Sequence, residues 1–225
     1  MTFTALPRPI AHAARELGRL WRCTSGVAIT EFAFVAPVFL TLGVLGLDTA
    51  SYISTHMRVS QIAIHVADNA SRVGEHGVLV ARKIRESDIN DLLIGAERYA
   101  GSLNLGENGR VIISSLEQNE DGGQWIHWQR CYGVKEWEST YGTAGDGEEG
   151  TEFAGMGTEG AEVEALPGDA VIFVEVAYDY TSLSPFSMLD GKTITYTGAF
   201  TVRDARDLTQ VYQTNPAAPV ASCDD

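Results

Sequence analysis

Glu31 is the residue whose placement demands a chemical reason. It is the only charge between Val27 and Leu47, a run of 21 mostly apolar residues. A carboxylate near the end of such a segment costs free energy in lipid unless it finds a partner. Its presence therefore points to pairing or recognition. Other groups could also do chemistry. Asp146, Glu148, Glu149 and Glu152 are hard oxygen donors close enough in sequence for calcium. They match neither the twelve-residue EF-hand spacing nor a repeated glycine-rich nonapeptide, so a solvated loop is the competing reading. Five histidines occur, His12, His56, His65, His76 and His127, and no pair has the HExxH spacing of a zinc site. There is no nucleophile elbow, no phosphate-cradling loop and no Cys–His arrangement. Paired acids of the glycosidase kind find no specific support. No catalytic role and no cofactor are expected. Trp125, Trp128 and Trp137, with Tyr132 and Tyr141 nearby, read equally well as a contact surface or as aromatic core.

Charge sharpens the picture. The 225 residues carry 16 Lys+Arg and 30 Asp+Glu, a net of −14. This argues against a nucleic-acid partner, which needs a basic face to neutralise phosphates. Residues 1–26 hold Arg8, Arg15, Arg19 and Arg22 against Glu16, or +3; the remaining 12 basic and 29 acidic residues give −17. A short basic head before an apolar run places the head in the cytoplasm and everything after the run beyond the inner membrane. Cys23 precedes the run, whereas Cys131 and Cys223 follow it into a compartment that permits disulfides. A Cys131–Cys223 bridge is expected, with two unpaired thiols as the alternative.

The elements that would position these groups can be read in outline. The uncharged stretch Phe32–Leu47 has 16 residues. At about 1.5 Å per residue it falls short of a hydrocarbon core of about 30 Å. Val27–Thr30 and Thr49–Ile53 complete the span and put Glu31 and Asp48 near the two interfaces. Pro37 is expected to kink the helix. Val59, Ile62, Val66, Ala70 and Val73 then form one apolar stripe, which predicts a single helix from about Val27 to Val73, stopped by Gly74 and Gly77. A second helix is predicted over Ser87–Leu103, capped by Ser87. Four strands are predicted, at Arg110–Glu117, Gln124–Tyr132, Ala170–Thr181 and Lys192–Val202, the first two joined by a turn at Glu120–Gly123. Residues 139–168 hold eight glycines and seven acids with no Lys or Arg. They read as a flexible loop, or one that orders only against something else.

The order of basic head, small polar residues, Gly26, four residues (Val27, Ala28, Ile29, Thr30), Glu31, the aromatic Phe32 and a long apolar stretch resembles the cleavage and assembly segment of type IV prepilins of the Flp/Tad subtype. Within that group it is most similar to the TadE-like minor pseudopilins. The segments VIFVEVAYDYTSLSPF and VRDARDLTQVYQ are also family-like. The resemblance implies that a prepilin peptidase cuts after Gly26 on the cytoplasmic side. Val27 becomes the N-terminus, and Glu31 pairs with the N-terminal amine of a neighbouring subunit. It implies as partners the peptidase, other pilin and pseudopilin subunits, an inner-membrane assembly platform and the lipid bilayer. The chain departs from the pattern in its 26-residue leader and in the length and acidity of the 139–168 segment.

The expected architecture is α+β. A basic leader covers 1–26, a transmembrane helix and its extension cover 27–85, and a head with a second helix and about four antiparallel strands covers 86–225. The rival from a different class is an uncleaved single-span anchor for a binding domain, calcium-dependent if the acidic loop takes the ion. An ordinary secretory signal fits less well, because the apolar run is too long and no Ala-x-Ala site follows it.

Overall fold

The computed structural model describes residues 25–74, 81–185 and 187–224. The first 24 residues of the expected leader lie outside the described residues. Contacts divide the chain into a unit ending at Thr49 and a second unit, Ala50–Asp225.

Helix α1 runs Ser25–Arg72, 48 residues, and continues through Pro37. In its first part the large apolar side chains are exposed: Phe34 by 80%, Phe39 and Leu40 by 69% each. Its second part belongs to the second unit and is built differently. Val59, Ile62, Ala63, Val66, Ala67 and Ala70 are buried. These positions recur every three or four residues and so share one face. Three of them are alanine, which lets the helix approach a sheet closely. Gly74 follows the helix with φ +132°, and Gly77 lies outside the described residues.

Helix α2, Glu86–Ala100, buries Ile89, Leu93, Ala96 and Ala100. The sequence placed its cap at Ser87 and its end at Leu103, and the structure corrects both. Arg85 is the N-cap, and its own N–H donates to Asp88 Oδ2 at 2.9 Å. The acid three residues on thus takes up the N-cap's own N–H, the reciprocal bond of a capping box. The α-helix stops where Gly101 takes φ +57°, and Gly101–Leu103 tighten into a 3₁₀ turn before a one-turn helix α3, Leu105–Asn108.

The sheet comprises β1 (Gly109–Gln118), β2 (Gln124–Tyr132), β5 (Ala170–Asp179) and β6 (Thr193–Thr201) in the order β2-β1-β5-β6. All neighbours are antiparallel. A bulge between Ser115 and Leu116 shifts the β1–β2 register. The predicted turn is present, with Asn119 N–H donating to Gly123 O at 2.8 Å. Alternation along β5 sends Ile172, Val174, Val176 and Tyr178 into the core shared with α1 and α2. Val171 and Phe173 go to the opposite face. The expected α+β head with four antiparallel strands is therefore what forms.

The acidic glycine-rich segment covers that opposite face. It contains a small antiparallel pair, β3 (Met156–Thr158) and β4 (Ala161–Val163). Met156 and Ala165 are buried against Leu116, Ile126, Val171 and Phe173, with Tyr141 and Phe153 packed around them. Few apolar residues suffice because the sheet supplies the other half of this second core. Its glycines allow backbone contact: a Cβ on Gly147 (φ +79°) would sit 2.2 Å from Gln124 O.

Candidate functional site

The sequence singled out Gly26, Val27, Glu31 and Phe32, and α1 contains all four. A Cβ at Gly26 would meet nothing within 4 Å. Val27 is 56% exposed and Phe32 71%. Thr30 Oγ1 donates back to Val27 O at 2.8 Å. Glu31 is exposed and has no hydrogen bond or ion pair among the described residues. Two consequences follow from helix physics. Glycine costs about 1 kcal/mol relative to alanine in a helix. Unwinding at Gly26 into the extended form a protease needs is therefore cheaper than it would be at an alanine. Glu31 sits four residues after Val27 on the same face, near the positive end of the helix dipole. Further along, α1 is long and apolar enough to cross a membrane, with its most apolar window unburied. It is a single such helix among the described residues.

Residues 26–74 match the family model described as TadE-like protein. That stretch is a TadE-like segment. No curated protein and no solved structure matches the chain. The TadE-like segment takes in Gly26–Phe32, the apolar run and the buried stripe of α1 that enters the head's core.

Beyond the TadE-like segment the structure sorts the remaining sequence candidates. Cys131 and Cys223 are bonded across a separation of 92 residues, with Cα atoms 4.8 Å apart. The tail is fastened further by Cys131 N–H donating to Ala221 O, by Arg110 Nη2 donating to Cys223 O at 2.7 Å and by Asn90 Nδ2 donating to Pro219 O. Asp146, Glu148, Glu149 and Glu152 are all exposed and do not converge. Asp146 Oδ2 instead accepts from Thr143 N–H at 2.7 Å and closes its own turn. Among the described residues no group of three or more His, Cys, Asp or Glu is placed to hold a metal. The tryptophans separate: Trp128 is buried in the main core, and Trp125 stacks on His127 at 4.4 Å. Trp137 lines a cavity.

Three charged features were not legible in the sequence. Glu86, 3% exposed, receives Arg130 through Nε–Oε2 at 2.9 Å and a second contact, Nη2–Oε1, tying the start of α2 to β2. Lys135 Nζ grips Asp179 at 2.7 and 2.6 Å. Burial pushes the Asp179 carboxyl up, but hydrogen bonds from Lys135 and Thr193 outweigh it and hold the group below its ordinary range. Glu175, 4% exposed, accepts Ser139 Oγ–H at 2.5 Å and Thr140 N–H at 3.0 Å. Burial raises its pKa, and these two neighbours only partly offset the rise. Each acid is one of many in an acidic chain, so only the fold distinguishes them.

Proposed function

We propose that the protein is a single-span minor pseudopilin of a Flp/Tad-type system. It is cut after Gly26 by a prepilin peptidase and enters the pilus or its assembly complex through Glu31. The observation that carries this reading is the exposed Glu31, with no partner among the described residues, on an exposed apolar helix within a TadE-like segment. In lipid, an α-amine at Val27 and the Glu31 carboxylate each cost several kcal/mol unpaired and much less when paired. Between subunits, such a pair forms only at one axial offset and so sets the register of assembly. The leader faces the cytoplasm and the head the periplasm, by the charge asymmetry across the span. The protein is a structural subunit. Its partners are the peptidase, other pilin subunits, the inner-membrane platform and the bilayer.

The test is the N-terminus of membrane-extracted protein, by intact mass and peptide mapping, with and without the peptidase. A Val27 start that requires the peptidase, lost in Gly26→Trp, is expected. Glu31→Ala is expected to be cut but to fail in assembly. An intact N-terminus identifies an uncleaved anchor, and a cut near residue 50 a secreted head; either overturns the reading.

A further inference from the structure

The two edges of the sheet are treated differently. The outer edge of β2 is covered by the chain itself: Ile126 N–H donates to Asp146 O at 2.9 Å, Gly145 N–H to Ile126 O at 2.7 Å, and Cys131 N–H to Ala221 O at 2.9 Å. The edge at β6 has no strand or loop paired to it among the described residues. At its two ends Tyr180 N–H donates to Lys192 O and Val202 N–H to Ala170 O, so even-numbered residues bond to β5. By antiparallel alternation the main-chain groups of Thr193, Thr195, Thr197, Ala199 and Thr201 point outward. None of these has a main-chain hydrogen bond among the described residues. Native edges are usually guarded by charge, proline, a bulge or covering chain. Thr193–Thr201 (TITYTGAFT) contains no charge and no proline, and its pairing with β5 has no register shift.

A cavity of about 340 Å³ adjoins this edge, lined by Trp137, Tyr141, Glu175, Thr195 and Thr197 among others. Glu175 lies directly across from Thr197 in the β5–β6 pairing. It is nine-tenths buried and has hydrogen bonds but no cation partner among the described residues. A buried carboxylate in that condition is costly unless a positive group completes it. The strand edge and the acid meet in this cavity, where Thr195 and Thr197 line it beside Glu175.

We propose that β6 takes up an extended segment of a partner polypeptide as a fifth strand, and that a Lys or Arg of that segment enters the cavity to pair with Glu175. Main-chain bonds to an edge supply affinity, and a pocket for one of the alternating side chains supplies specificity. The charge fits: residues 27–225 carry −17, so a basic side chain approaches a favourable field. A saccharide could stack on Trp137 and Tyr141 but would leave the row of strand-edge groups unmet. The proposal concerns the head and does not depend on processing at Gly26.

The probe is an immobilised array of nine-residue peptides alternating Thr and Val with one variable central position. Full-length protein in detergent micelles is applied to it. Peptides with central Lys or Arg are expected to be retained about tenfold more tightly than those with norleucine or Glu. Glu175→Gln should abolish the preference. Thr195→Pro, which removes an outward N–H without touching the β5 ladder, should weaken every peptide. Thr197→Lys should occupy Glu175 from within and block the basic peptides, and it decides the matter if Thr195→Pro does not fold. Retention of no peptide, retention without preference for a basic centre, or preference that survives Glu175→Gln overturns the proposal. Retention of a labelled chito-oligosaccharide in place of peptides overturns it too.

Discussion

Gly198 sits where α1 and the sheet come closest, and the cost of filling that position can be worked from the distances. A Cβ there would lie 2.8 Å from Ala63 O, 3.0 Å from Ala63 C and 3.2 Å from Ile64 N. All three are main-chain atoms of a helix and cannot swing aside as a side-chain tip can. Carbon and oxygen rest near about 3.5 Å, so Gly198→Ala must move α1 off the sheet by roughly half an ångström, which overpacking data put at about 1–3 kcal/mol. Removing glycine also stiffens the unfolded chain, returning about 0.4–1 kcal/mol. The net is a loss of about 1–2 kcal/mol, or roughly 2–8 °C in Tm for a unit of this size. Gly95 is the matched control. It lies exposed in α2, and a Cβ added there would meet nothing within 4 Å, so Gly95→Ala should gain about 0.5–1 kcal/mol. Thermal melts of the two full-length variants, followed by near-ultraviolet circular dichroism, should move in opposite directions. A Gly198→Ala protein as stable as the parent would refute the close-approach reasoning.

Replacing Cys131 and Cys223 together by serine frees a loop of 92 residues and should cost about 4–5 kcal/mol by the chain-entropy relation, read as a lower urea midpoint; a loss under about 1 kcal/mol would contradict it. Arg130→Met leaves Glu86 buried without its cation and should cost about 3–5 kcal/mol in the same assay, with much of that recovered by adding Glu86→Leu. Glu175 tests the pH dependence. Its folded pKa is raised, so the fold favours the neutral acid, and stability falls as pH rises from the unfolded carboxylate value through the folded one. Glu175→Gln should therefore match or exceed the parent's stability at pH 7, with the gap closing below about pH 4. A gap that widens on acidification would show that the sign is wrong.

What the sequence made legible is what depends on short-range pattern. The buried stripe of α1 follows from Val59, Ile62, Val66 and Ala70 at helical spacing. The strands follow from alternation such as Val171, Phe173 and Glu175 against Ile172 and Val174. Helix ends were less legible, because Arg85 and Asp88 cap α2 by a backbone-to-side-chain bond, whereas a serine such as Ser87 is the commoner capping residue. The covering of the second sheet face by residues 139–168 was not visible, since its apolar residues are sparse and become a core only when Leu116, Ile126 and Phe173 are opposite them. Edge identity was hidden too. Nothing in TITYTGAFT says whether it lies inside a sheet or at its margin; that depends on β5 being its sole strand neighbour among the described residues.

The bond between Cys131 and Cys223 has a consequence for timing. Ninety-two positions separate its halves, so β3, β4, β5 and β6 are all synthesised before the second thiol exists. Throughout that interval Cys131 is a lone thiol on a strand whose tail contact at Ala221 is also missing. In the proposed topology Cys23 stays on the other side of the membrane and cannot intercept it. Between copies of this chain, the available wrong partner is the same cysteine on another emerging head. A covalent dimer through Cys131 is thus the misassembly this chain is built to risk, and its abundance should rise with expression rate and fall when an oxidoreductase that reshuffles disulfides is supplied.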